Sequence, residues 1–221
     1  MEKNLTDGQP DMIRESVPGR DSVPERDPFA VCAITYLVRP QNLPPFYNAA
    51  LSLTKSGIQV HAFGTVGRVG VKPHEEIAPG FTFSRIELHS RVFFHNIPGR
   101  LGDNILTAGL QYLASYVEYN VKMFIRARQC PADIVEAHDL PSLFCARLIA
   151  WHKRCPIVYH AHELWSEMGP HVRFRGFWRW LEKRLIRGID LIVTPEENRA
   201  RIYREEYGAP ELPLVIANCP P

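Results

Sequence analysis

The 221-residue sequence contains no run of about 18 uninterrupted apolar residues, so it offers no helix to span a bilayer. Its first residues lack the apolar stretch of a secretory signal. No Cys-x-x-Cys pair occurs: the five cysteines, Cys32, Cys130, Cys145, Cys155 and Cys219, are odd in number and far apart, which points away from a zinc ribbon and from a disulfide framework. They read as reduced thiols of a cytoplasmic protein. An excess of one charge is also missing, because 26 Lys and Arg face 24 Asp and Glu for a formal +2, and nothing global recruits nucleic acid.

What is present is an ordinary folding composition, 45 % hydrophobic and 23 % charged, which excludes wholesale disorder. The length allows one large domain or two small ones, at roughly 100–200 residues each. Charge is uneven along the chain. Residues 1–28 hold seven acids and four bases, a net −3 that leaves +5 on the body. They also carry a near-duplicate hexapeptide, Ser16-Val-Pro-Gly-Arg-Asp followed by Ser22-Val-Pro-Glu-Arg-Asp. So polar and Pro-rich a segment cannot bury enough apolar surface to offset its ordering entropy, and it is expected to be a disordered tail.

From Phe29 short apolar runs alternate with helical stretches, the pattern of βαβ units and a parallel sheet. Strands are expected over residues 29–37, 58–63, 82–88, 133–137, 157–161, 190–193 and 214–217, and helices over 44–56, 103–128, 141–152, 172–187 and 195–206. Asp103 is placed to cap the long helix, whose Leu106, Leu110, Leu113, Val117, Val121, Phe124 and Ile125 recur at the spacing of one buried face. Gly64, Gly67 and Gly70 have the wrong spacing for a dinucleotide fingerprint and read as a flexible loop. Seven strands alternating with helices predict an α/β domain of the Rossmann-like, doubly wound type over residues 29–217, with a mainly parallel sheet covered on both faces. Ligands bind beyond the carboxyl ends of such strands, so the residues that follow each strand decide function.

Three strand ends are informative: Val38-Arg-Pro-Gln-Asn42, His138-Asp139 and His160-Ala-His162-Glu163. Imidazoles and carboxylates at one sheet edge can act as a base, bind hydroxyl groups or ligate a metal. Plainer readings stand beside these. Asp139 precedes Pro141 and can cap a helix, and His160 can be a satisfied strand residue. Glu197 and Glu205 share a helix with Arg201, and Glu197–Arg201 is an ordinary i,i+4 pair.

The runs Asp133-Ile-Val-Glu-Ala-His-Asp-Leu-Pro-Ser, Pro156-Ile-Val-Tyr-His-Ala-His-Glu-Leu-Trp-Ser-Glu, Asp190-Leu-Ile-Val-Thr-Pro and Val215-Ile-Ala-Asn218 resemble the N-terminal half of family 4 glycosyltransferases with the GT-B fold. The resemblance implies two Rossmann-like domains facing each other across a cleft, the first receiving the acceptor and the second gripping a nucleotide-sugar. It implies that His138 sits near the sugar-transfer centre as the catalytic residue, and that His162 and Glu163 line the acceptor side. Asp139 and Asn42, at neighbouring strand ends, join the acceptor-binding set. Two departures matter. The turn after the first strand, residues 39–45, has no glycine and three prolines where many members place amides for the donor phosphates. Residues 218–221 correspond to the start of the interdomain linker, so the donor domain, and the nucleotide-sugar with it, is expected outside this chain, which then holds no cofactor.

On a helix over 172–187, Phe174, Phe177, Trp178, Leu181 and Leu185 form one stripe, and Arg175, Arg179, Lys183 and Arg187 line the other side. This is either a core-packed helix with a solvated basic face or a membrane surface in which Arg175, Trp178, Arg179, Trp180 and Lys183 meet anionic lipid. Three functional readings follow. The first is the acceptor half of a retaining, nucleotide-sugar-dependent glycosyltransferase of polysaccharide or glycolipid synthesis, inactive alone and peripheral on the inner face of the cell membrane. Its partners are a sugar or lipid-linked acceptor and a donor domain in cis or in trans, with no nucleic acid. The second is a zinc hydrolase built from His138, Asp139, His160, His162 and Glu163. The third is a non-enzymatic partner for a separate donor subunit. The first assigns no metal.

Overall fold

Five consecutive buried residues, Ala30–Ile34, make β1, as a strand covered on both faces requires. Around it a computed structural model of the chain describes residues 27–66, 71–90, 105–168 and 174–217. The remaining strands are β2 (Gln59–Thr65), β3 (His74–Ala78), β4 (Phe81–Ile86), β5 (Ile134–His138), β6 (Ile157–His160), β7 (Leu191–Thr194) and β8 (Leu214–Val215). The helices are α1 (Pro44–Lys55), α2 (Ile105–Ala127), α3 (Leu140–Lys153), α4 (Arg175–Leu185) and α5 (Glu197–Ile202). The strands form one sheet in the order β3-β4-β2-β1-β5-β6-β7-β8, parallel throughout except for the β3–β4 hairpin. Strand order reverses between β1 and β5, which opens a crevice at their carboxyl ends.

The doubly wound fold is as expected, with one strand more. β3 (His-Glu-Glu-Ile-Ala) is a half-exposed edge strand, so it lacks an apolar run. The Pro79-Gly80 turn that joins it to β4, with Gly80 at φ +79°, is its only sequence signal. Gly64 is not in a loop but inside β2, where a Cβ would come within 2.2 Å of the Leu37 carbonyl oxygen. Gly67 and Gly70, the tail before residue 27, Asp103 and the segment 218–221 lie outside the described residues.

Alternation along the strands divides the core. Cys32, Ile34, Val135, Ala137, Ile157 and Tyr159 pack with α2 and α3, while Ala33, Val60 and Ala62 face Phe46 and Ala50 of α1. Here α2 departs from expectation. It buries Tyr119, Asn120, Met123 and Ala127, with the Tyr119 hydroxyl donating to the Thr35 carbonyl at 2.9 Å. Leu110, Leu113, Val117, Val121 and Ile125 are 52–62 % exposed. The helix has two faces able to leave water, and the aromatic one, which offers more area and a polar anchor, takes the core. Among the described residues no helix is long and apolar enough to cross a membrane.

Candidate functional site

Because Val135, Ala137, Ile157 and Tyr159 point toward α2 and α3, the intervening Glu136, His138 and His160 point to the α1 side. β5 and β6 run in parallel register with His138 beside His160, and His162 follows two residues after His160. One carboxylate and three imidazoles therefore share the floor of a cavity of about 100 Å³ beyond the carboxyl ends of the central strands. Its walls are apolar: Pro45, Phe46 and Ala49 from α1 face Val193, Pro195 and Ile216.

The four polar groups touch. His138 Nδ1 lies 3.1 Å from His162 Nε2, and the ring planes are 10° apart. The His160 ring lies 4.7 Å from that of His138, at 13°. On the other side, His138 Nε2 is 3.5 Å from Glu136 Oε2 and His160 Nε2 is 3.7 Å from Glu136 Oε1. Neither Nε2 makes a hydrogen bond, although both are buried. The ring of Phe46, 4.5 Å from that of His138, covers it.

Burial, with the neighbouring imidazole of His160, brings His138 down to about 4. Burial and the adjacent rings of His138 and His160 bring His162 down to about 3. Burial alone pushes Glu136 up, but His138 and His160 outweigh it and hold the carboxyl well below the usual range. At neutral pH the floor is thus two neutral imidazoles beside an ionised carboxylate, rich in hydrogen-bond acceptors.

Asp139 does not cap α3. Its Oδ1 accepts the backbone N–H groups of His162 at 3.0 Å and Glu163 at 3.2 Å, clamping the exit of β6 to the exit of β5. It does so from φ 60°, ψ 164°, a conformation favourable only to glycine. Burial raises its carboxyl to about 6 against those two N–H groups. Glu163 is exposed, 3.5 Å from Arg199, whose guanidinium also donates to the His162 carbonyl. Asn42 is exposed at the end of the short turn Pro40–Asn42 and does not line the cavity.

On α4 two of the basic residues pair with acids, while Arg184 remains exposed. Arg175 pairs with Glu167, Arg179 with Glu206, and the Lys183 ammonium lies 5.5 Å over the Tyr207 ring. Trp178 packs edge-on against Tyr116 at 5.4 Å, and Trp180 is 53 % exposed. Glu197 pairs with Arg201 at 3.9 Å, as an ordinary helical pair should. Sequence reasoning missed Glu136 and Arg199. Glu136 had a signal, a lone acid two residues before His138 in an otherwise apolar strand. Arg199 had none, because its partner lies 37 positions away. Among the described residues the three imidazoles, with one ligand atom each within 4.8 Å of the others, are the group able to hold a metal.

Comparison with known proteins follows the fold. Among solved structures, the chain is similar to sucrose-phosphate synthase from Thermosynechococcus elongatus (TM-score 0.53, 12 % identity, 86 % of this chain and 47 % of that one). It is similar to Anabaena Alr3699/HepE in complex with UDP and glucose (0.52, 15 %, 86 % and 44 %). It is also similar to Arabidopsis thaliana UGT89C1 complexed with UDP (0.55, 11 %, 88 % and 50 %). The chain spans about half the length of these proteins. No curated protein matches it. The family model for Glycosyltransferase Family 4 matches residues 46–219, which take in most of α1, β2 to β8 and every residue lining the cavity except Pro45, and the chain belongs to that family.

Proposed function

We propose that this chain is the acceptor-binding half of a retaining, nucleotide-sugar-dependent glycosyltransferase acting in polysaccharide or glycolipid synthesis. The observation that carries the reading is the cavity floor: Glu136 and neutral imidazoles, set between apolar walls, at the sheet edge where a doubly wound fold takes its ligands. Sugar hydroxyls are donors and find acceptors there, while Phe46 and Ile216 suit the apolar face of a sugar ring. In transfer, the accepting hydroxyl bonds to the sugar carbon as that carbon's bond to the nucleotide breaks, the nucleotide leaving with the bond's electron pair and taking up the hydroxyl's proton. His138 is the catalytic residue in this reading, with His162 hydrogen-bonded to it at 3.1 Å. The nucleotide-sugar is held by a second Rossmann-like domain, in cis or in trans, and this chain by itself transfers no sugar. Isotope-labelled protein, stripped with chelator, titrated with simple glycosides should show shifts at the imidazoles and Ile216, and none with nucleotide-sugars. Preferential binding of a nucleotide-sugar in this cavity, or transfer by the chain alone, would overturn the reading.

A surface observation favours a lipid-borne acceptor and an anionic bilayer. α2 exposes the apolar stripe Leu110, Leu113, Val117, Val121 and Ile125, and α4 exposes Phe177 and Trp180. Exposed Arg128 follows Ile125 by three residues, and exposed Arg184 stands 5.8 Å over the Trp180 ring. Basic residues beside an apolar stripe suit anionic headgroups. The chain should float with vesicles containing phosphatidylglycerol and less with neutral ones, and Val117→Asp with Val121→Asp should abolish flotation. Equal recovery of that double variant would remove the bilayer from the reading.

A further inference from the structure

The amino side of the sheet holds a second group of reactive side chains, one that sugar transfer does not use. Asp133 ties the entry of β5 to the start of β1: its N–H donates to the Ala30 carbonyl at 2.8 Å, and its carboxylate accepts the Ala30 N–H at 2.8 Å. Cys32 stands two residues along β1 from that clamp, and Cys130 three residues before it. Two thiols far apart in sequence are thereby packed into one core cluster, Cys32 fully buried and Cys130 half-buried. The Cys32 thiol donates a hydrogen bond to the Cys130 sulfur. At the end of α3 the Lys153 ammonium donates to the Cys130 carbonyl, which sets a positive charge beside the pair.

These surroundings grade the thiols. The hydrogen bond from Cys32, with the Lys153 ammonium, holds Cys130 below the usual thiol range against its burial. The same bond and burial push Cys32 up, and burial pushes up Cys145 and Cys155 as well. Thiolate therefore collects on Cys130, the member of the pair that solvent reaches, while the proton stays on Cys32.

We propose that Cys130 and Cys32 form a hydroperoxide-sensitive thiol pair, in which Cys130 takes the oxidant and Cys32 closes the disulfide. The Cys130 thiolate attacks one peroxide oxygen, so that an S–O bond forms while the O–O bond breaks. The other oxygen leaves with the electron pair and takes a proton from water. Cys32 then attacks the sulfenic sulfur of Cys130, the S–O bond breaks, and the departing hydroxide carries off the Cys32 proton as water. Two thiols and one hydroperoxide give one disulfide, one alcohol (or water, from hydrogen peroxide) and one water. Cys32 is fixed between its neighbours in the sheet, so the approach of the sulfurs to bonding distance falls to Cys130. Residues 128–133, a turn outside helix and strand, supply the movement. The inference does not rest on the glycosyltransferase reading, because the cavity lies beyond the carboxyl ends of the strands and Cys130 precedes the amino end of β5.

The test uses the full chain, reduced, freed of reductant and treated with a few equivalents of hydrogen peroxide. Expected are the loss of two of the five thiols, an intact mass lower by two hydrogens, and a cross-linked peptide joining Cys32 to Cys130. Dithiothreitol should reverse all three. In the unaltered, reduced chain, iodoacetamide should alkylate Cys130 at least ~5-fold faster than Cys155, so this readout does not depend on a variant folding. Cys32→Ser should prevent the disulfide and leave a sulfenic acid that dimedone labels at Cys130. Cys155→Ser should leave the Cys32–Cys130 cross-link unchanged. Retention of all five thiols, a cross-link from Cys130 to Cys155 or between two chains, or alkylation of Cys130 no faster than that of Cys155 would each refute the pair.

Discussion

Replacing Glu182 by Gln should remove one component of the pH dependence of stability, the one that falls between pH 4.5 and about 7. The Glu182 side chain is fully buried between α4 and the sheet. Its Oε1 accepts the hydroxyls of Tyr159 at 2.6 Å and Tyr203 at 2.5 Å, and its Oε2 has no partner. Burial raises this carboxyl from 4.5 to about 7, against the lowering effect of the two tyrosines. A raised carboxyl contributes stability that is complete below the unfolded value and is lost as pH climbs through the folded one. At ~1.4 kcal/mol per pH unit, the interval from 4.5 to about 7 amounts to about 3 kcal/mol. The amide can accept both tyrosine hydroxyls through its oxygen, but its NH2 carries two donors without a partner where the protonated acid has one. Near pH 5 the variant should therefore be the less stable by about 1–3 kcal/mol. Between pH 5 and pH 8.5 the difference should move by about 3 kcal/mol in the variant's favour. Urea unfolding followed by tryptophan fluorescence, with linear extrapolation at each pH, reads the difference. The difference between the two proteins is the quantity to follow, because the cavity histidines pull the parent's own profile the opposite way. A difference that does not change with pH would show that Glu182 is ionised throughout and sink the argument.

Those histidines supply the second prediction. His138 is lowered from 6.5 to about 4, so its stability is present above pH 6.5 and fades as pH falls through about 4, by at most about 3 kcal/mol. His138→Gln should reduce that acid limb in urea titrations, leaving the part that His162 contributes. Gly64→Ala places a methyl group 2.2 Å from the Leu37 carbonyl oxygen and 2.7 Å from the Phe83 ring, and should lower stability by at least about 2 kcal/mol in the same assay. Asp139→Ala leaves two backbone donors unpaired and keeps the unfavourable φ, which should cost about 1–3 kcal/mol. Asp139→Gly relieves the backbone and should cost less than the alanine variant. The reverse order would mean that the backbone at this position carries no strain.

Much of the architecture was legible in the sequence because it rests on local periodicity. Apolar runs of strand length, Gly57 closing α1 at φ +81° and the histidines at the ends of β5 and β6 each declare themselves within a few residues. Periodicity failed where it was ambiguous or where a strand was not apolar. β3 is polar because only half of it is covered, and its hairpin turn was the better clue. Asp139 looked like a helix cap from its position before α3, yet its carboxylate serves backbone donors 23 and 24 residues away.

What the sequence determined by itself is a parallel α/β sheet with its chemistry at the strand ends, since strand period and turn residues are local properties. Only the tertiary structure decided which face of α2 is buried, because two faces could leave water and the choice lay with the surface offered by α3 and the sheet. It alone also brought Glu136 beside the imidazoles. That contact depends on the register between β5 and β6, which no single segment encodes.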